Sequence, residues 1–383
     1  MARNILFVSH TSELNGAEKV LLRILERLDR KKFKPFLITP EYGLLEDKAR
    51  KLGINTEIVP MKWWISESSK RWRQPFSWIF NMNSIFRISR IISKKNISLV
   101  FSNTSIMFSA ALASKLSRVP HIWMIHENLS GYACCFYFLL GNDILVRIIE
   151  FLSARIIVNS LASKKAFKNK EKTCLVYNGI EVNREQISSE HDIRNELNIG
   201  TNDPLIGVIG KISDQKGQKE IVLALRRLSQ VYPQLKLLII GSVSDDHYYE
   251  EILNIIKSSD LENKVIFTGY RPDVMDILKS MDLVVIASDT ESFGLVALEA
   301  MCVHTPVLAV DSGALPEIIT HGKTGFLVRK KDSDSLREGI DSVLKRPDRT
   351  ERVVKRAFDL VRSRFKFENQ IKKIEQIMED SLG

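Results

Sequence analysis

Two glutamates, Glu291 and Glu299, stand eight residues apart in the run Ser288-Asp289-Thr290-Glu291-Ser292-Phe293-Gly294-Leu295-Val296-Ala297-Leu298-Glu299-Ala300. The apolar run Leu283–Ala287 precedes them and a helical pattern begins near Gly294, so the segment reads as strand, loop and helix start. A helix start leaves N–H groups unpaired, and its dipole favours an anion such as a phosphate. Gly294 has no Cβ, so the main chain of Phe293, Gly294 and Leu295 is open to close approach by such a group. Glu299 then falls about one and a half turns into the helix, placed to accept hydrogen bonds from vicinal ribose hydroxyls. Glu291, in the loop, either reaches sugar hydroxyls or holds the shape of the loop.

The rest of the chain is organised to present such loops. Short β-branched runs alternate with longer helical patterns, the signature of parallel sheets with crossover helices. The first half supplies strand candidates at Ile5–Ser9, Pro35–Thr39, Thr56–Val59, Leu99–Ser102, His121–Ile125, Arg155–Val158 and Thr173–Val176. A polar stretch, 183–204, interrupts the rhythm. It restarts with Leu205–Ile209, Leu237–Ile240, Val265–Thr268, Leu283–Ala287, Val307–Val310 and Phe326–Val328. The expected division is residues 1–183, a linker at 184–204, and residues 205–383, with helical patterns after about 350 that either stay with the second domain or pack back on the first. At 383 residues the chain exceeds what one core usually organises. The expected fold class is α/β, two Rossmann-like doubly wound domains. Ligands of such sheets bind at the carboxyl ends of the strands, which leads to the expectation of a cleft between the two.

With these elements in view, the pattern Glu291-x7-Glu299 around Phe293-Gly294 resembles the donor signature of glycosyltransferase family 4, the retaining GT-B enzymes. Further segments resemble the family's elements in the family's order. They are Asn15-Gly16-Ala17-Glu18, Tyr177-Asn178-Gly179-Ile180, Gly210-Lys211 with Lys216-Gly217, Gly313-Ala314-Leu315-Pro316-Glu317, and His321-Gly322-Lys323-Thr324-Gly325-Phe326-Leu327. Two positions depart from the family pattern: Asn15 replaces a glycine and Lys211 replaces an arginine. Lys211 keeps the charge but loses bidentate geometry.

The resemblance implies a nucleotide-diphosphate sugar donor, either UDP- or GDP-linked, and a glycan or lipid-linked acceptor. It implies a donor site of Gly16, Gly210, Lys211, Lys216, Glu291, Phe293, Gly294, Leu295 and Glu299, with His126, Lys211, Lys216 and Glu291 at the chemistry. Fixed cations beside a departing diphosphate stabilise the charge that grows in the transition state. His126, at the end of a strand, matches the family's active-site histidine; Asn103, at another strand end, is a candidate for the acceptor side. Glu18 is equally readable as a helix-start residue with a structural role. No carboxylate is placed as a nucleophile. The resemblance implies front-face attack by the acceptor, with the leaving phosphate taking its proton, and no cofactor or metal ion.

Composition bounds the alternatives. The 44% apolar and 27% charged residues suit a globular protein, and the net charge of +10 suits nucleic acid, an anionic bilayer or a phosphorylated substrate. No nucleic-acid recognition module is found, and carboxylates in the best candidate site would repel a phosphate backbone, so nucleic acid is not expected. Between residues 62 and 95, Lys62, Lys70, Arg71, Arg73, Arg87, Arg90, Lys94 and Lys95 interleave with Trp63, Trp64, Trp72, Phe76, Trp78, Ile79 and Phe80. Basic residues among interfacial aromatics suggest peripheral attachment to the cytoplasmic face of an anionic membrane, consistent with synthesis of a bacterial surface polysaccharide such as lipopolysaccharide. No signal peptide or spanning helix is expected. Cys134, Cys135, Cys174 and Cys302 lack metal-site spacing and are expected as reduced thiols in a cytoplasmic protein. Asp332-Ser333-Asp334 is expected as a helix cap rather than a metal motif. Two rival functions share the fold expectation: a nucleotide-sugar epimerase, and a non-catalytic sugar-nucleotide binder.

Overall fold

The computed structural model describes residues 2–66, 72, 74–129, 137–181 and 193–383. The expectations for Lys70, Arg71, Arg73, Cys134 and Cys135 concern residues outside that set. The chain divides into two compact units, residues 1–178 with 367–383, and residues 179–366.

The first unit is built on a seven-stranded sheet. Its strands are β1 (Arg3–Ser9), β2 (Phe33–Thr39), β3 (Asn55–Ile58), β4 (Leu99–Asn103), β5 (His121–Ile125), β6 (Arg155–Val158) and β7 (Thr173–Leu175). They lie in the order β3-β2-β1-β4-β5-β6-β7, all pairs parallel. The second unit carries β8 (Leu205–Ile209), β9 (Lys236–Ile240), β10 (Val265–Gly269), β11 (Leu283–Ile286), β12 (Val307–Val310) and β13 (Phe326–Val328). That sheet is also parallel, ordered β10-β9-β8-β11-β12-β13. These are two Rossmann-like doubly wound sheets. Continuous apolar strands such as Leu283–Ile286 are buried because crossover helices cover both faces.

In each sheet the order reverses beside the first strand, between β1 and β4 and between β8 and β11. Connections leave the reversal point toward opposite faces, which opens a crevice at the carboxyl ends of those strands. Two cores flank the first sheet. Leu6, Val8, Ile38 and Val100 pack with Ile85, Ile88 and Ile92, while Trp123, Ile125 and Ile156 pack with Leu145 and Ile149.

The helix Gln74–Lys94 is inside out over its first three turns. It buries Gln74, Ser77, Asn81 and Ser84 and exposes Phe76, Ile79, Phe80, Met82 and Phe86. The buried polar groups are satisfied. Asn81 accepts from the Lys62 N–H at 2.9 Å and donates to its carbonyl at 2.7 Å, and Gln74 accepts from the Leu139 N–H at 2.8 Å. Ser84 donates to the Pro60 carbonyl at 2.6 Å. Two aromatics expected at the surface are instead structural: Trp64 is buried against Trp123 and Phe138, and Trp78 packs on the same cluster. Their indole N–H groups find carbonyls of Ser105 and Trp64, which is what permits burial of so large a polar-tipped ring.

The helical pattern at the end of the chain is two helices, Pro347–Arg364 and Phe367–Leu382. The second belongs to the first unit, where Glu375 accepts from the Asp29 N–H at 2.8 Å and Gln370 donates to Asn178 at 3.1 Å. Asp332 caps the helix Ser333–Leu344 by accepting from the Ser335 N–H at 2.8 Å. Cys302 is buried and Cys174 is half-buried. Among the described residues no helix is long and apolar enough to cross a membrane.

Candidate active site

The second unit gathers its candidate residues where the strand order reverses. The segment after β8 carries Gly210 and Lys211, then a short turn, Asp214–Lys216. Lys216 runs back alongside Gly210, and its Nζ lies 3.0 Å from Glu291 Oε2 in the loop after β11. That contact joins the two strands flanking the reversal.

The Glu291 loop is fixed by main-chain bonds. Asp289 N–H donates to the Gln215 carbonyl at 2.9 Å, Ala314 N–H to the Glu291 carbonyl at 2.9 Å, and Ser312 Oγ to the Ser288 carbonyl at 2.7 Å. Lys331 pairs with Asp289 at 2.6 Å, and this bond raises the pKa of the lysine. Gly313 holds φ +56°, and a Cβ there would fall on the Glu291 main chain. The loop therefore closes only over glycine.

Gly294, at φ +100°, is the N-cap of the helix Leu295–Cys302 and, as glycine, brings no side-chain cap to its first turn. The N–H groups at its start are thus not consumed by a side-chain cap. Leu295 and Val296 are half-buried there, and Glu299 is half-buried further along the helix. Phe293 is buried with its ring against Phe365, centroids 6.1 Å apart. Any contact from Phe293 to a donor must therefore come from its main chain. Lys211 is exposed, and its carbonyl accepts from Gln218, a fully buried side chain, at 3.0 Å. The cluster offers two lysines, an open helix start and two carboxylates, a set able to hold a diphosphate beside hydroxyl-bearing rings.

The first unit has its own cluster at its own reversal. Gly16 opens the helix Gly16–Arg27, whose N-cap Asn15 makes no side-chain bond to the first turn. Glu18, in that turn, is fully buried and lies 3.2 Å from Nδ1 of His10, the residue that follows β1. Asn103 ends β4 and is buried. It donates from Nδ2 to the Ala17 carbonyl at 3.1 Å, and its Oδ1 lies 2.9 Å from Nε2 of His126. Both amide atoms of Asn103 are thus engaged inside the protein.

The next residue, Thr104, holds φ +117°. A β-branched residue in that region costs roughly 1–3 kcal/mol. The turn so made aims the Ser105 N–H and hydroxyl at Glu127, 3.2 and 3.0 Å away. The protein packed around His126 lowers its pKa to about 3, with repulsion from His10 added. Glu127 is pushed the other way, up, because burial outweighs the Ser105 hydrogen bonds.

The candidates thus fall into two groups. Gly210, Lys211, Lys216, Glu291, Phe293, Gly294, Leu295 and Glu299 come together in the second unit, while Gly16, Asn103 and His126 come together in the first. Sequence reasoning missed His10 and Ser105. Of these two only His10 carried a signal, since like His126 it directly follows a strand at its carboxyl end. Among the described residues, no group of three or more His, Cys, Asp or Glu is placed to hold a metal ion.

Two family models match the chain: Glycosyltransferase Family 4 over residues 14–184, and Glycosyl transferases group 1 over residues 189–359. An uncharacterized glycosyltransferase of Methanocaldococcus jannaschii is 30% identical over 255 residues, which is 62% of this chain and 63% of that protein. A lipopolysaccharide core biosynthesis mannosyltransferase of Rhizobium leguminosarum is 29% identical over 47% of this chain and 51% of its own length. The chain therefore spans between half and two thirds of the length of these relatives. Among solved structures, Anabaena HepE in complex with UDP and glucose superposes with a TM-score of 0.82 at 24% identity, covering 99% of this chain and all of that one. The fold, the order of the two matches and the relatives agree: the chain belongs to glycosyltransferase family 4, with the GT-B architecture.

Proposed function

We propose that the chain is a retaining glycosyltransferase that moves a sugar from a UDP- or GDP-sugar to a glycan or lipid-linked acceptor, without a metal ion. The observation that carries this reading is the 3.0 Å contact between Lys216 and Glu291, set beside the uncapped helix start that leads to Glu299. In this reading residues 205–383 supply the donor residues and residues 1–183 the acceptor side. Lys211, Lys216 and the N–H groups at Leu295 hold the diphosphate, Glu299 takes the ribose hydroxyls, and Glu291 the hydroxyls of the sugar. As the bond from the anomeric carbon to the phosphate oxygen breaks, the lysines and the helix start stabilise the charge left on the phosphate. The acceptor oxygen bonds to the same face of that carbon, and its proton passes to the departing phosphate.

The acceptor and the setting belong to the same proposal. The inside-out helix Gln74–Lys94 presents Phe76, Ile79, Phe80 and Phe86 outward, with Lys62, Arg87, Arg90 and Lys94 at its margins. An anionic bilayer matches both features, placing the chain at the inner face of the plasma membrane beside a lipid-linked acceptor of surface polysaccharide.

The test uses the full chain. Thermal shift against UDP- and GDP-sugars identifies the donor, since binding raises apparent stability by mass action. With that donor and an acceptor, Glu299→Ala should lower kcat/KM about 100-fold, the worth of two hydrogen bonds to a carboxylate, while unfolding stays cooperative. Near-normal turnover refutes the assignment.

A further inference from the structure

The chain of contacts from the first turn of helix Gly16–Arg27 to His126 fixes which ring nitrogen of the histidine carries a proton. The Ala17 carbonyl can only accept a hydrogen bond, so the Asn103 atom 3.1 Å from it must be the amide nitrogen. That choice leaves Oδ1 as the Asn103 atom 2.9 Å from His126 Nε2. An amide oxygen can only accept, so His126 Nε2 must donate. We infer that Asn103 is a positioning residue: it holds His126 as the Nε2–H tautomer, so that Nδ1 presents a bare lone pair, an acceptor for a hydroxyl of the bound substrate.

The surroundings agree with this assignment. No other hydrogen bond to the His126 ring occurs among the described residues, and the residue is only half-buried, which leaves Nδ1 available. The groups facing it keep the ring neutral: burial and the nearby His10 both oppose a second proton. Glu18 pairs with His10 rather than with His126. Glu127 is occupied by Ser105 and by the His126 main-chain N–H at 3.2 Å. Thr104, at φ +117°, sets the abrupt end of β4 that Asn103 occupies. The inference rests on the transferase reading for the nature of the hydroxyl, but not for the state of the ring.

Ring-nitrogen NMR of the full chain labelled with 15N-histidine decides it, His126→Gln supplying the assignment. The expected spectrum has Nε2 protonated and Nδ1 bare from pH 8 down to 5. A proton on Nδ1 of the wild-type ring in that range overturns the inference, whatever the variants do. Asn103→Asp then places a carboxylate at Nε2, which favours the doubly protonated ring. Its His126 should titrate at higher pH than in the wild type, and transfer should fall in step as Nδ1 gains its proton. Asn103→Leu, which leaves Nε2 without its partner, should lower kcat about tenfold with little change in donor KM. An unchanged titration and pH–rate profile in Asn103→Asp also overturns the assignment. Absence of transfer by the wild type, with the expected ring state, counts instead against the transferase reading.

Discussion

At the residue scale the informative feature is that Lys216 has a carboxylate partner before any phosphate arrives. Lys216 and Glu291 are about one third and one sixth exposed, and an ion pair of that kind contributes on the order of 0.5–1 kcal/mol. A diphosphate must displace that interaction to use the lysine. Glu291→Gln removes the competing charge, so the affinity for the free nucleoside diphosphate should rise about two- to fivefold. The same change should lower transfer about 10- to 100-fold, because a hydrogen bond from a charged group to the sugar is lost. Lys216→Ala should move the affinity the opposite way, weakening it about 10- to 100-fold. Calorimetry on the three proteins separates these effects; parallel changes in both variants would contradict the competition. Lys211, Lys216, Phe293 and Leu295 drew attention in the sequence because each adjoins a glycine near a strand end, and Glu291 and Glu299 because they stand eight residues apart around Phe293-Gly294. His10 and Ser105 did not stand out, because their order comes from a buried carboxylate and a strained turn, neither of which leaves a periodic trace. Asn103 was legible as a position and not as a role: a strand-end asparagine looks the same whether it faces a ligand or a carbonyl.

At the element scale, loops and helix faces carry the predictions. The Glu291 loop closes over Gly313, where a side chain would need both a left-handed conformation and space already taken by the Glu291 main chain. Gly313→Ala should therefore cost at least about 1 kcal/mol of stability and should weaken donor binding, measured by thermal shift with and without the nucleotide sugar. A variant with wild-type binding would show that the loop shape is not needed. The helix Gln74–Lys94 makes a different argument. Its polar inner face is fully engaged by Lys62, Pro60 and Leu139, so it cannot be rotated to hide its aromatics without breaking those bonds. The outward Phe76, Ile79 and Phe86 thus have no cover among the described residues, and in the proposed reading a bilayer supplies it. Flotation with vesicles rich in anionic lipid should recover the wild type at low salt, and Phe76→Ser with Ile79→Ser should abolish the recovery. Equal flotation of both proteins would refute the docking face. Here composition drew attention to a stretch whose helix exposes several apolar side chains, but it misplaced Trp64 and Trp78. Aromatic content alone does not say which rings face inward, and a helix whose buried face is polar defeats an inference from hydrophobic periodicity.

At the scale of the whole molecule, both sheets were legible strand by strand, because parallel strands buried on two faces are continuous apolar runs bounded by turns. Which unit takes the chain's end stayed open between two alternatives. The helix Phe367–Leu382 joins the first unit through Glu375 and Gln370, contacts between residues hundreds of positions apart that no local pattern announces. That unit also contains two histidines held neutral by burial, His121 and His126, each with its pKa lowered to about 3 from an ordinary 6.5. His121 is 2% exposed, accepts or donates at Ser102 through Nε2 at 2.9 Å, and its Nδ1 has no hydrogen-bond partner among the described residues. Because the folded pKa values are depressed, the unfolded chain binds protons between about pH 6.5 and 3 that the folded chain does not. Stability present above pH 6.5 is therefore lost as pH falls through that window, by up to about 1.4 kcal/mol per pH unit for each histidine, and levels off below it. Glu127 works in the opposite sense just above its ordinary 4.5, since its raised pKa favours the folded state as it gains a proton; the net slope should be steepest above that range. Denaturant melts at successive pH values should show His121→Gln with a shallower loss of stability between pH 6.5 and 5 than the wild type. Identical slopes would mean that His121 takes up its proton in the folded protein, which would require water or a counter-charge to reach the interior of the first sheet.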